Sequence, residues 1–282
     1  MKDLQKAIVY MLFSTLAFAV MNGLVKYLVD FSAYELVFFR SLGTLILTMV
    51  FLLYKKIPIL GNKRSLLVTR GIAGAVSLIL FFLSLKYLPV GTAVVLRYLS
   101  PVFAAIFAVI WLKEKIRPIQ WLFFLLAFSG VLVMKGFDND LSLIGLVLIF
   151  SSALVMGIVF VTISKIGKQD HPIVIINYFM AIGTLLGGVL ALNDWRTPQG
   201  NEWIILSSLG VVGFVGQLFM TKAFQIASTN QVAPLKYLEV IFTVLIGAFW
   251  FMETYTIWAI LGMVMVIAGL LLNIFYKSRK VS

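Results

Sequence analysis

Ten apolar runs, most of them about 20 residues long, are separated only by short breaks, and nothing else in this 282-residue chain restricts its fold so tightly. They cover residues 7–29, 34–54, 66–87, 90–112, 118–135, 143–163, 173–192, 202–225, 231–252 and 256–276. About 20 mainly apolar residues is the length of a helix that crosses the hydrocarbon core of a bilayer. Backbone in lipid must satisfy its own hydrogen bonds, which leaves helices or closed barrels. The runs are too long and continuous for alternating barrel strands, so an all-α membrane protein is expected. Composition agrees: 12% of residues are charged, against about 25% in soluble chains. The first run follows a basic start, but it lacks a small-residue cleavage site and further spans follow. It reads as a first transmembrane helix rather than a signal peptide.

The basic residues orient the chain. With the N-terminus inside, sixteen Lys and Arg, Arg70 among them, fall at cytoplasmic breaks, against Lys26, Lys86, Lys135 and Arg196 outside. Basic residues concentrate in cytoplasmic loops, so both termini are expected in the cytoplasm and the protein in the plasma or inner membrane. The same pattern accounts for the net charge of +12 without a nucleic-acid partner. Cysteine is absent and the single histidine, His171, stands in a loop beside Pro172, so neither disulfide nor metal cluster is expected.

Residues 90–117, VGTAVVLRYLSPVFAAIFAVIWLKEKIR, recur in altered form from residue 231 as QVAPLKYLEVIFTVLIGAFWFMETYT. Arg97, Tyr98, Trp111 and Glu114 match Lys236, Tyr237, Trp250 and Glu253 at one offset of 139 residues. Gly71, Gly74 and Gly130 match Gly210, Gly213 and Gly269 at that offset, and Gly43 matches Gly183 at 140. Each half holds five spans, an odd number, so the second copy must lie inverted in the membrane, as in many secondary transporters. The expected architecture is ten transmembrane helices in two inverted five-helix repeats: residues 1–135, an outer linker at 136–142, and 143–282 with a basic cytoplasmic tail. Close helix packing is the simplest account of each glycine. Pro101 should weaken its helix, whereas Pro234 stands near a helix start, so the two central helices should differ in shape.

Polar residues within the spans are few, and they form the candidate substrate-binding set: Asn22, Arg40, Ser77, Arg97, Tyr98, Asn177, Tyr178, Gln217, Lys236, Tyr237 and Glu239. An unpaired charge at mid-membrane costs between about 2.5 and 17 kcal/mol, so Arg40, Arg97 and Lys236 should face the bundle interior. Arg97 and Lys236 enter from opposite sides and are expected near opposite ends of a central cavity. Glu239 follows Lys236 by three residues, which puts both on one helical face. That pair is either an ion pair that lowers the cost of burial or a lining that meets a charged substrate. Glu35, near the start of the second span, is poorly aligned with Arg40, so both should find partners on other helices. Tyr98 and Tyr237 either stack on a ligand or pack. Glu114 and Glu253 read first as caps or interface pairs and second as proton carriers.

The segments RYLSPVFAAIFAVIWLKEK and YLEVIFTVLIGAFWFMET, in ten spans of two inverted halves, resemble the EamA-type transporters of the drug/metabolite transporter superfamily. Pro101 and Glu114 carry the resemblance in the first half and Glu253 in the second, while Val240 stands where a second proline would fall. The resemblance covers residues 4–276. It implies an importer or exporter of amino acids, nucleobases, S-adenosylmethionine or other small metabolites. It also implies a cavity lined by Ser77, Arg97, Tyr98, Gln217, Lys236, Tyr237 and Glu239.

Transport is therefore the leading function. No nucleotide-binding motif, metal set or nucleophile–base pair points to an enzyme. A non-transporting scaffold or receptor is the alternative. Two cations and one carboxylate suit an amino acid or similar zwitterion, its carboxylate on Arg97 or Lys236 and its ammonium on Glu239. An organic anion, a nucleobase or nucleoside, and S-adenosylmethionine remain open; the last has an adenine for Tyr98 or Tyr237 to stack on and a sulfonium. No cofactor is expected, and coupling is to a proton gradient or to substrate exchange. Expected partners are the small-molecule substrate, membrane lipids and a second copy of the chain.

Overall fold

Every regular element among the described residues is helical in the computed structural model, which describes residues 2–112, 118–137, 141–167, 169–226 and 233–278. In chain order these are α1 Lys2–Tyr27, α2 Ala33–Tyr54, α3 Arg64–Ser84, α4 Val90–Arg97, α5 Ser100–Leu112, α6 Pro118–Phe137, α7 Leu143–Ile166, α8 Pro172–Ala191 and α9 Glu202–Ile226. A 3-10 turn at Ala233–Tyr237 leads into α10 Leu238–Trp250, and α11 Ile257–Ser278 follows. Seven stretches are long and apolar enough to cross a bilayer, one of them joining α4 to α5. Pro118–Met134 and Ile257–Asn273 are shorter apolar stretches.

The chain is thus a multi-pass membrane bundle, all-helical among the described residues, with seven clear spans among them where the sequence predicts ten. One of the three differences is a break in the backbone. The expected ninth span is divided between the 3-10 turn and the 13-residue α10. The expected fifth and tenth spans are helices of 20 and 22 residues, α6 and α11.

Leu132 and Phe249 face outward as openly as Leu36 and Phe82 are buried. With apolar surface on both sides, burial alone gives helices little reason to associate in lipid, and close packing with interhelical hydrogen bonds takes over. The resulting pairing survives exchange of the two halves. α1 packs on α9 as α7 packs on α3, and α2 on α9 as α8 on α3. α1 meets α10 as α7 meets α5, while α2 with α8 and α6 with α11 join matching helices.

The correspondence reaches single residues. A Cβ on Gly130 would stand 2.5 Å from the Gly262 carbonyl oxygen. Moving both by the repeat offset gives Gly269 and Phe123, and a Cβ on Gly269 would stand 2.5 Å from the Phe123 carbonyl oxygen. No side chain fits at either crossing. Hydroxyls tie two more crossings: Ser152 Oγ donates to the Ser77 carbonyl at 2.7 Å, and Ser14 Oγ to the Gly216 carbonyl at 2.8 Å. Gly216 is the repeat counterpart of Ser77.

Connections are clipped by carboxylates. Asp170, before α8, accepts from the backbone N–H groups of Asn62 and Lys63, before α3. Glu35 closes a capping box with Ser32 at the start of α2 and accepts from Arg196 N at 3.2 Å, before α9. Glu35 is therefore engaged at its helix end and is no partner for Arg40.

Candidate functional site

The fourth span breaks where its charge sits. α4 ends at Arg97, and α5 restarts at Ser100. Pro101 has no N–H, so the Arg97 carbonyl four residues earlier loses its helical donor. The ninth span is interrupted at the matching residue: the 3-10 turn ends at Tyr237 and α10 begins at Leu238, although Val240 replaces the proline. Tyr98 (φ −69°, ψ −2°) and Tyr237 (φ −68°, ψ −13°) share one backbone conformation. Their rings meet with centroids 5.0 Å apart. Interrupted helices are how transporters bring polar backbone to a mid-membrane site.

Glu239 stands at this junction, 8% exposed. Its Oε1 accepts from Asn22 Nδ2 at 3.2 Å and its Oε2 from the Tyr98 hydroxyl at 2.8 Å. Thus α1, the break after α4 and the start of α10 converge on one carboxylate. Lys236 forms no ion pair with it; its Nζ lies 5.6 Å from the centroid of Tyr98 and 5.8 Å from that of Phe18. The expected one-face pairing of these two residues fails because the α-helix starts at Leu238, leaving Lys236 in a different element. Arg97 lies over Phe81, its Cζ 4.1 Å from the ring centroid. Arg97 and Lys236 are in electrostatic reach of Glu239 and of each other. The two cations expected at opposite ends of a cavity therefore share one neighbourhood.

Arg40 and Arg70 both lie against Phe179, with Cζ 5.9 and 4.3 Å from its centroid. They are 6% and 7% exposed. Arg40 Nε reaches Met21 Sδ at 3.2 Å, but Arg40 Nη1 and Arg70 Nε and Nη1 are buried with no hydrogen-bond partner. Arg40 meets both Arg70 and Arg97 as like charges. The bundle interior thus carries a row of cations, Arg70, Arg40, Arg97 and Lys236. Glu239 is the one carboxylate in reach of the row among the described residues.

The charge count assigns Arg70 to the cytoplasmic edge, whereas the structure buries it inside α3. The available signal was Gly74, one turn later: a Cβ there would stand 3.1 Å from Arg70 Nη1. Gly213, the counterpart of Gly74, faces Arg40 in the same way.

The remaining candidates are used elsewhere. Ser77 is bonded reciprocally to Ser152 in the contact of α3 with α7. Asn177 Oδ1 accepts from Thr48 Oγ1 at 3.0 Å where α8 meets α2. The Tyr178 hydroxyl donates to the Leu60 carbonyl at 2.8 Å, in the α2–α3 connection. Gln217 is half-buried on α9. Glu114, with Lys113 and Lys115, lies outside the described residues.

A second charged group closes the start of α4. Pro89 offers that helix no side-chain cap. Glu253 supplies one from the other half, both carboxylate oxygens 3.1 Å from Val90 N. The Tyr255 hydroxyl donates to Glu253 Oε2 at 2.7 Å and accepts from Gly91 N at 3.3 Å. Lys26 Nζ is 3.7 Å from Glu253 Oε1 and donates to the Leu85 and Leu88 carbonyls at 2.9 and 3.2 Å. Burial, then the hydrogen bond to Glu253 and its charge, push the Tyr255 phenol well above its ordinary value, so it remains a donor. Sequence inspection missed Lys26 and Tyr255; it read Glu253 as a cap, and a cap is what this geometry makes of it.

The sequence matches the EamA-like transporter family over residues 5–135 and 143–275. It is 31% identical over 246 residues to the pseudopaline exporter CntI of Pseudomonas aeruginosa, covering 85% of each chain. It is 26% identical over 285 residues to the S-adenosylmethionine uptake transporter of Rickettsia prowazekii, covering 100% of this chain and 97% of the other. A protein of known crystal structure shares the fold at a TM-score of 0.66 and 15% identity, covering 100% of this chain and 99% of the other. A match that takes in both halves of the repeat decides the matter: this chain belongs to the EamA-like transporter family and is a membrane transporter of small polar solutes rather than an enzyme.

Proposed function

We propose that the protein is a secondary transporter working by alternating access and that its substrate is an amino acid or similar zwitterion. In this reading ten spans form two inverted repeats, residues 1–135 and 143–282, joined by an outer linker at 136–142. Both termini are cytoplasmic. Helix pairing that survives exchange of the halves supports the repeat, and the paired interruptions at Tyr98 and Tyr237 support a site between them.

The observation that carries the substrate is the state of Glu239. Its carboxylate is buried, holds two neutral donors, and has cations in reach but none bonded to it. A substrate ammonium would complete it with a charge-assisted bond. The substrate carboxylate would take Arg97 or Lys236. Rocking of one half against the other would then open the site to either side, driven by a proton gradient or by exchange. A second reading, S-adenosylmethionine, draws on the aromatic faces of Tyr98 and Tyr237.

The test is solute counterflow in proteoliposomes against amino acids, S-adenosylmethionine, nucleosides and organic acids. An amino acid that moves, and moves at least about tenfold more slowly after Glu239→Gln, supports the proposal. A protein that moves none of the panel rejects it, as does amino-acid movement indifferent to Glu239→Gln.

A further inference from the structure

We propose that Arg40 and Arg70, both against Phe179, form an anion subsite that takes a carboxylate or phosphate of the transported solute. The substrate then carries an acidic group in addition to the one that meets Arg97 or Lys236. The inference rests on the transport reading above and narrows its substrate class.

Three observations lead to it. The guanidiniums are more than nine-tenths buried, and three of their nitrogens have no hydrogen-bond partner. Such donors are costly to leave unmet. Phe179 engages each guanidinium through the aromatic face, a contact that leaves the N–H edge free. That edge is the planar fork that matches a carboxylate or phosphate. Finally, Arg40 is repelled by both Arg70 and Arg97, and an anion beside it relieves that repulsion. Gly74 and Gly213, at repeat-related positions, let the two arginines lie close against the helices that carry these glycines: a Cβ would stand 3.1 Å from Arg70 Nη1 and 3.6 Å from Arg40 Nε.

The experiment uses the full chain purified in neutral detergent. Melting temperature is followed against succinate, inorganic phosphate, the neutral diamide succinamide and phosphatidylglycerol at constant ionic strength. Succinate or phosphate should raise the melting temperature by mass action, and succinamide should not. Arg40→Gln and Arg70→Gln should each weaken the acidic probe at least about tenfold. Lys222→Gln, which removes an exposed cation, should leave the probe's effect intact.

Without ligand, the two Gln variants should melt no lower than the parent, because each removes an unpaired buried charge. If either fails to fold, Arg40→Lys and Arg70→Lys keep the charge, lose the fork, and should bind with intermediate strength. The proposal falls if neither acidic probe outdoes succinamide, or if both Gln variants bind like the parent. It also falls if phosphatidylglycerol alone reproduces the effect, which would assign the subsite to a lipid headgroup. Amino-acid counterflow that depends on Glu239, with no acidic-probe effect, discards the subsite alone. Acidic-probe binding with no counterflow of any solute discards the transport reading and the cargo role with it.

Discussion

Two groups of charges in this molecule use the same residue types and differ in how well they are satisfied. At the start of α4, Glu253 is held by Val90 N, the Tyr255 hydroxyl and Lys26, and Lys26 is held by two further carbonyls. In the bundle interior, Arg40 and Arg70 keep unmet donors, and Arg97 and Lys236 rest on aromatic rings instead of carboxylates. A satisfied group stabilises the fold it belongs to. A group short of partners costs stability, and its presence calls for something that arrives later. The first is a fastening between the two halves; on the proposed function, the second receives a charged solute.

That contrast breaks or sharpens under substitution. The largest effect should come from Glu253→Leu, which removes the acceptor of Val90 N and leaves Lys26 with two carbonyls and no countercharge. Breaking a buried pair costs about 3–5 kcal/mol, and the lower end applies because Lys26 is 21% exposed. Melting temperature should fall sharply, and an unchanged value would erase the distinction between the groups.

Arg97→Leu should behave in the opposite way. The melting temperature should hold or rise, while substrate affinity falls by about tenfold or more. One charge-assisted bond is worth about 1.5–3 kcal/mol, and about 1.4 kcal/mol is a factor of ten. Arg97→Lys should lie between. Unchanged affinity in folded Arg97→Leu protein would remove Arg97 from the substrate site.

Tyr255→Phe is the mildest change, at about 1–2 kcal/mol for the two hydrogen bonds lost, to Glu253 and from Gly91 N. It carries a pH signature. The Tyr255 phenol is raised in the folded protein from an ordinary value of 10.0, so its contribution is complete below that pH. The contribution should be lost as pH climbs further and the unfolded chain ionises first. The parent should therefore lose stability in strong alkali more steeply than the Phe variant, and parallel curves would show that the phenol is not coupled to folding.

Much of this was legible in the sequence, for reasons visible in particular residues. Apolar run length reports the bilayer directly, and one shared offset ties Arg97 and Tyr98 to Lys236 and Tyr237, which the structure brings together. What the sequence hid was geometry. Lys236 and Glu239 share a face only if a helix runs through both, and that depends on where α10 begins. Arg70 was lost because counting charges near span ends cannot separate a residue at the surface from one that turns inward. Ser77, Asn177 and Tyr178 are polar residues in spans, as expected, but their bonds to Ser152, Thr48 and Leu60 depend on which helices meet.

The reciprocal glycine crossings have a further consequence. Gly130 against Gly262, and Gly269 against Phe123, are two copies of one contact within a single polypeptide. In a pair of identical subunits, any substitution would strike both copies at once. Here each copy can be altered alone, and the chain already shows such divergence: arginine stands opposite lysine at the centre, and proline opposite Val240 at the breaks. If transport is by alternating access, as proposed, the path toward one side of the membrane and the path toward the other can thus be given different stiffness and different grip. A fused duplication turns a symmetric machine into one whose two directions are adjustable separately.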